Sequence, residues 1–218
     1  MKKTTILLVL VTFIFSCGSK KKVERALNSG NYNKAIYNAV KKLSTKKDVK
    51  RKQDYILLLK DAYDKANERD INAISGLKAR NNPEYYKLIY ETYSTMEKRQ
   101  NAVRPILPLS IKGREVFFKL SDYTNAIVEA RDNVSAHYYQ EGSAMLNSED
   151  KFQLRDAYNT LAYIEDINPN YQNTRKLMNE AHERGTAHVI VAIENQTRQI
   201  LPRRLEDALL DFDTYGLN

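Results

Sequence analysis

From Tyr32 to Ala181 apolar side chains return every three or four positions, and only 7 glycines and 5 prolines punctuate the 218 residues. That spacing lines one face of a helix and is incompatible with the strict alternation of a half-buried strand. Tyr55, Leu58, Leu59, Ala62, Tyr63 and Ala66 form one stripe, and Ile71, Ile74 and Leu77 a shorter one. Asn81-Asn82-Pro83 breaks the pattern, and proline near a first turn opens the next helix, with Tyr85, Leu88, Ile89, Thr92, Tyr93 and Met96 on its face. Ser121-Asp122 can cap a further helix carrying Tyr123, Ile127, Ala130, Val134, Tyr138 and Met145. Asn147-Ser148 separates it from Leu154, Ala157, Tyr158, Leu161 and Ile164. Asn168-Pro169 then precedes Tyr171, Thr174, Met178 and Ala181. The expected fold is mainly α.

Two stretches depart from this rhythm. Between 104 and 120, Pro105 and Pro108 end a helix, and Lys112-Gly113 is placed to turn Leu109–Ile111 back on Glu115–Phe118, so a small hairpin or connector is expected, separating two helical halves. From 187 to 218 the pattern changes again. His188-Val189-Ile190-Val191-Ala192-Ile193 reads as a strand, and Pro202 opens an amphipathic helix with Leu205, Ala208, Leu209 and Phe212. An isolated strand leaves backbone donors and acceptors unpaired. It can pair with the hairpin, with another protein, or with strands that lie beyond Asn218. The third option suits the abrupt end best, and the tail is then an incomplete α/β domain.

The N-terminus carries a targeting segment. Lys2 and Lys3 precede an apolar run from Ile6 to Phe15, interrupted by Thr12. A spanning helix needs ~20 predominantly apolar residues, so this run has the length of a cleavable signal. The chain's one cysteine, Cys17, stands where the run ends, in Ile14-Phe15-Ser16-Cys17. The stretch resembles the signal of bacterial lipoproteins of the Bacteroidota type, in which a Leu-small-small-Cys box precedes the lipidated residue. The resemblance implies cleavage before Cys17, several acyl chains on its sulfur and new N-terminus, and a stable membrane hold. Gly18 in place of an aspartate, and Lys20-Lys21-Lys22 in place of an acidic cluster, imply the periplasmic face of the outer membrane.

Soon after the anchor, Ala26 to Leu43 reads as two helices meeting at a Gly30-Asn31 turn, the second burying Ile36, Ala39, Val40 and Leu43. Gly30, Tyr32, Ala35 and Ile36 resemble the Gly-Asp-Tyr-x-x-Ala-Ile turn of tetratricopeptide repeats. Ala157, Leu161 and Pro169 fall at that repeat's Ala…Phe…Pro offsets. The resemblance implies a helical-repeat solenoid, organised as a signal over 1–17, repeat halves over 18–103 and 121–186 flanking the 104–120 connector, and the 187–218 tail.

The formal charge is +8, and Lys41, Lys42, Lys46, Lys47, Lys50, Arg51 and Lys52 concentrate it within twelve positions. The cluster fits a solvated helix end, or contact with anionic headgroups or an acidic protein. A periplasmic address makes nucleic acid an unsuitable partner. His137, His182 and His188 show no metal-ligand spacing, and Glu149-Asp150 and Glu165-Asp166 sit at helix ends as surface charge. Phosphate loops and nucleophile elbows are absent from the sequence. No enzyme activity, cofactor or metal is therefore expected. The functional expectation is a scaffold or adaptor that binds envelope proteins through a helical-repeat surface. The alternatives are a solute- or glycan-binding lipoprotein, or the regulatory N-terminal part of a longer envelope protein.

Overall fold

The computed structural model describes residues 19–45, 50–187 and 202–204. Cys17, Lys46, Lys47 and the expected strand at 188–193 lie outside the described residues. Seven α-helices and one two-stranded antiparallel sheet occur among those described. The chain forms two compact units that divide between Val134 and Ser135.

In the first unit, residues 19–28 form α1. Its end is a Schellman closure: Asn31 N–H donates to Ala26 O at 2.9 Å and Gly30 N–H to Leu27 O at 3.1 Å. Gly30 holds φ +75° there, a left-handed conformation that costs glycine nothing. Asn31 then caps α2 (Tyr32–Leu43), its Oδ1 accepting from Lys34 N–H at 3.2 Å. Ala35, Ile36, Ala39 and Leu43 are the buried face of α2; the two fully covered alanines keep its backbone close to the neighbouring helices. Those are α3 (Gln53–Ala79) and α4 (Tyr86–Val103).

Along α3 the core positions are Tyr55, Ile56, Leu59, Ala62, Tyr63, Ala66, Asp70 and Ile74. Ile71, expected on the inner stripe, is 47 % exposed, and Leu88 of α4 is 50 % exposed. The i, i+4 step from Ala66 leads to Asp70 and Ile74, so the polar Asp70 takes the inward position and Ile71 turns out by ~100°. Between the two helices Asn81 takes φ +46°. Asn82 Oδ1 accepts from Glu84 N–H at 3.1 Å, starting a 3-10 turn at Pro83.

The 104–120 segment, expected as a connector between two halves, is folded into this unit. Leu109–Ile111 (β1) and Arg114–Val116 (β2) pair with Leu109 opposite Val116 and Ile111 opposite Arg114. Lys112 (φ +49°) and Gly113 (φ +76°) make the two-residue turn, whose twist matches a hairpin. Val103, Ile106, Leu109 and Phe118 join the core of α1, α2 and α3. Burial of Ile106, Leu109 and Phe118 holds the segment against this unit. A second cluster, Ile74, Ile89, Met96 and Ala130, is flanked by Tyr85, Tyr90, Tyr93 and Tyr123. It engages the start of α5 (Thr124–Met145), whose first turn Asp122 caps at 2.9 Å from Thr124 N–H.

The unit boundary falls within α5. In the second unit α6 (Lys151–Ile167) and α7 (Thr174–Gly185) form an antiparallel hairpin. Leu146, Leu154, Ala157 and Ala181 are its buried cluster. Asp150 caps α6 at 2.9 Å from Phe152 N–H. Arg184 donates to the carbonyls of Leu146 and Ser148, 2.7 Å each, satisfying acceptors that the end of α5 leaves orphaned. Gly142 lies so near α6 that a Cβ there would meet Leu161 Cγ at 2.8 Å.

Two of the helical glycines, Gly142 and Gly76, therefore respond oppositely to the same substitution. Gly142→Ala gains helix propensity but overpacks a fully buried leucine, and is expected to lose about 1–3 kcal/mol net. Gly76 in α3 has nothing within 4 Å of an added Cβ, so Gly76→Ala is expected to gain up to about 1 kcal/mol. Urea denaturation of the two variants checks the signs.

Candidate functional site

Of the basic residues singled out in the sequence, Lys41, Lys42, Lys50, Arg51 and Lys52 are described, and they gather at one end of the first unit. Ser19 Oγ lies 2.7 Å from Tyr55 OH, and Lys20 Nζ donates to Asp54 Oδ2 at 2.7 Å. These contacts join the first turn of α1 to the first turn of α3. Lys52 donates to the Thr45 carbonyl and, at 3.2 Å, to Thr45 Oγ1, which brings the exit of α2 to the same place. Lys41 and Lys42 occupy the last turn of α2, where cations complement the helix terminus. Lys50–Lys52 is a 3-10 turn leading into α3. Lys21, Lys22, Lys41, Lys42, Lys50 and Arg51 are exposed. Among the described residues, the nearby acids Asp54 and Glu24 both pair with Lys20. The hydrogen bond to Asp54 holds the Lys20 ammonium above the usual lysine range.

A polar lock that sequence reasoning missed crosses the middle of this unit. Arg99 is 4 % exposed. Its Nε donates to Asn33 Oδ1 at 3.1 Å, and its two terminal nitrogens to Asn67 Oδ1 at 2.6 Å and Asp70 Oδ2 at 2.5 Å. Asp70 Oδ1 accepts from Arg69 Nε at 2.9 Å. Next to it Gln100 reads both backbone groups of Ser121: Nε2 donates to the carbonyl at 2.8 Å, and Oε1 accepts from N–H at 2.6 Å. Tyr63 OH donates to Lys119 O at 3.0 Å, with its ring edge-on to Phe118 at 5.4 Å. Burial pushes the Tyr63 phenol above its ordinary pKa. Each nitrogen of Arg99 and each oxygen of Asp70 makes a bond within the protein, and both side chains are buried away from solvent. The constellation is architectural.

The repeat-like residues are placed as packing and turn elements. Tyr32, Ala35 and Ile36 open α2 after the Gly30 turn, and Arg69 lies over the Tyr32 ring at 5.3 Å. Ala157 and Leu161 are fully buried on α6, and Pro169 lies in the turn after it. Glu165 accepts from Arg175 Nε at 2.7 Å and from Asn170 N–H at 3.1 Å; the Arg175 guanidinium holds its carboxyl below the usual glutamate range. His182 lies 5.8 Å from Tyr158 and His137 5.8 Å from Tyr138, each pair of rings tilted by 49°. His188 lies outside the described residues. Among the described residues no group of three His, Cys, Asp or Glu is placed to hold a metal ion. None of the described helices is long and apolar enough to cross a membrane.

Three surface features remain. A cleft of about 180 Å³ is bordered by Leu77, Asn81, Asn82, Ile89, Glu129 and Asn133. A second, more open cleft of about 380 Å³ is bordered by Glu97, Arg104, Leu120, Ser121, Asp122 and Thr124. Ligand pockets ordinarily span ~300–1,000 Å³, so the first is below that range and the second within it. Beyond the hairpin, Phe117 is 74 % exposed while its neighbour Phe118 is buried. Successive side chains of an extended segment point opposite ways. Leu120 is also exposed, and Leu57 lies one turn before Lys60, whose ammonium sits 5.9 Å above the Phe118 ring.

Comparison of the chain with protein-family models, with curated proteins and with solved structures found no match.

The lock generates a test of its own. Arg99→Met strands Asp70 in the core and is expected to cost about 3–5 kcal/mol. Replacing both partners, Arg99→Met with Asp70→Leu, is expected to recover a large part of that loss. Paired denaturation curves measure both.

Proposed function

We propose that this chain is a lipoprotein held to the periplasmic face of the outer membrane by acyl chains on Cys17, with a helical body that serves as a scaffold or adaptor for envelope proteins. The observation that carries the reading is the position of its single cysteine, at the end of an apolar run too short to span a bilayer. The body supports it through what it offers to partners. Its buried polar cluster around Arg99 is architectural, and its outer faces carry isolated large apolar groups, Phe117 foremost. Aromatic side chains of this kind anchor protein interfaces.

The tetratricopeptide-like character of the body belongs to this proposal as well. Its support is the Gly30 turn before the Ala35–Ile36 face, and the Ala157–Leu161 face of a helical hairpin that turns at Pro169. Helices α2 to α7 range from 12 to 27 residues, so any repeat is irregular, and the partner surface differs from one helix pair to the next.

Metabolic labelling with an alkyne fatty acid tests the anchor: the native chain is expected to be labelled and Cys17→Ala to remain unlabelled. Equal labelling of the two would remove the anchor reading. For the scaffold, a photo-crosslinking residue in place of Phe117 is expected to capture a discrete envelope protein in intact cells. Phe117→Ala is expected to weaken that association by about 2 kcal/mol. A crosslinking pattern identical to that from an exposed polar position would sink the assignment.

A further inference from the structure

We propose that the end of the first unit where α1 and α3 begin and α2 stops is seated on an anionic phospholipid surface, with Lys21, Lys22, Lys41, Lys42, Lys50 and Arg51 as its headgroup contacts. The inference rests on the lipid anchor proposed for Cys17 and adds an orientation to it.

Chain geometry supplies the first constraint. Ser19 is two residues from Cys17, and two residues span at most about 7 Å. A lipidated Cys17 at the bilayer surface therefore keeps the start of α1 at the headgroups. Tertiary contacts extend the constraint. Ser19 is bonded to Tyr55 and Lys20 to Asp54, so the start of α3 cannot lie elsewhere. Lys52 bound to Thr45 adds the end of α2.

Charge supplies the second. Among the described residues, Lys21, Lys22, Lys41, Lys42, Lys50 and Arg51 are exposed and form no ion pair, while the neighbouring carboxylates Glu24 and Asp54 pair with Lys20. Each basic group within a screening length of an anionic membrane raises surface affinity about fivefold. The tether alone brings the cluster within that length, which favours lipid over an acidic protein as occupant. In this orientation α3 rises away from the bilayer. Its 27 residues carry Ala79 about 40 Å from the first turn.

The test uses the full-length lipidated chain, reconstituted into vesicles of phosphatidylcholine alone or of phosphatidylcholine and phosphatidylglycerol in equal parts, with nitroxide-headgroup lipid as quencher. A fluorophore is placed on Arg51→Cys or on Ala79→Cys, both exposed positions. Quenching at position 51 is expected to exceed that at 79 at least about twofold and to increase with phosphatidylglycerol. The increase is expected to vanish in about 1 M salt, where screening reaches only ~3 Å. The triple variant Lys41→Gln, Lys42→Gln, Lys50→Gln, checked for unchanged helicity, is expected to lose it as well. Equal quenching at both positions, or no response to phosphatidylglycerol, overturns the proposal and leaves an acidic protein as the counterpart of the basic end. Mass spectrometry of the fragment containing Cys17 separates the two levels. An acylated Cys17 with unquenched position 51 defeats the orientation alone, whereas an unmodified Cys17 defeats both.

Discussion

Arg99 brings a permanent charge into the core of the first unit, and the arrangement of the helices around it follows from how that charge is satisfied. A buried guanidinium without partners would cost several kcal/mol. Its partners are Asn33 on α2 and Asn67 and Asp70 on α3, so three helices must hold their rotation about their axes to within hydrogen-bond tolerance. The consequence runs on along α4. Gln100 is turned toward Ser121, and Val103, one turn past Arg99, enters the apolar cluster with Ile106 and Leu109. The hairpin is thus packed by the same helix whose charge the lock neutralises. A cluster of leucines could supply comparable stability. It would leave the helices freer to rotate.

Close approach is the second organising element, and each unit achieves it with small residues. On α2, Ala35 and Ala39 are fully covered, and on α3 so are Ala62 and Ala66. In the second unit Gly142 receives Leu161, while Ala157 and Ala181 meet across the α6–α7 hairpin. Backbones brought this near gain dispersion contacts over their whole length. They also tolerate little change in side-chain volume.

Much of the helical layout could be read from the sequence because local chemistry determines it. Gly30-Asn31, Asn81-Asn82-Pro83, Lys112-Gly113 and Ser121-Asp122 all mark real boundaries, since each demands a backbone conformation or cap that only a few residue types supply. The polar lock was illegible for the opposite reason. Asp70 and Arg99 are 29 residues apart, and a charged residue on a helix is ordinarily solvated, so nothing local distinguishes them from Asp64 or Lys98. An apolar reading of α3 misplaces Ile71 in consequence, because the inward position there falls on Asp70. Gly142 was equally silent: its role exists only opposite Leu161. For the candidate site, the basic residues were visible as a run. Their meeting with the start of α1 depends on Ser19–Tyr55 and Lys20–Asp54, contacts across 36 and 34 residues. Cys17, the one residue whose chemistry the sequence proposes, lies outside the described residues.

The hairpin carries a consequence of a different kind. A sheet of two strands has two open edges, and an open edge is a template on which another extended chain can add. Here each strand is three residues long, which limits an incoming strand to a few backbone bonds. Lys112, Arg114 and Glu115 at the tip place charge of both signs along that short ladder. On the lipid anchor proposed for Cys17, copies of the protein would meet often in the plane of a membrane, and this edge gives such encounters little on which fibres could grow.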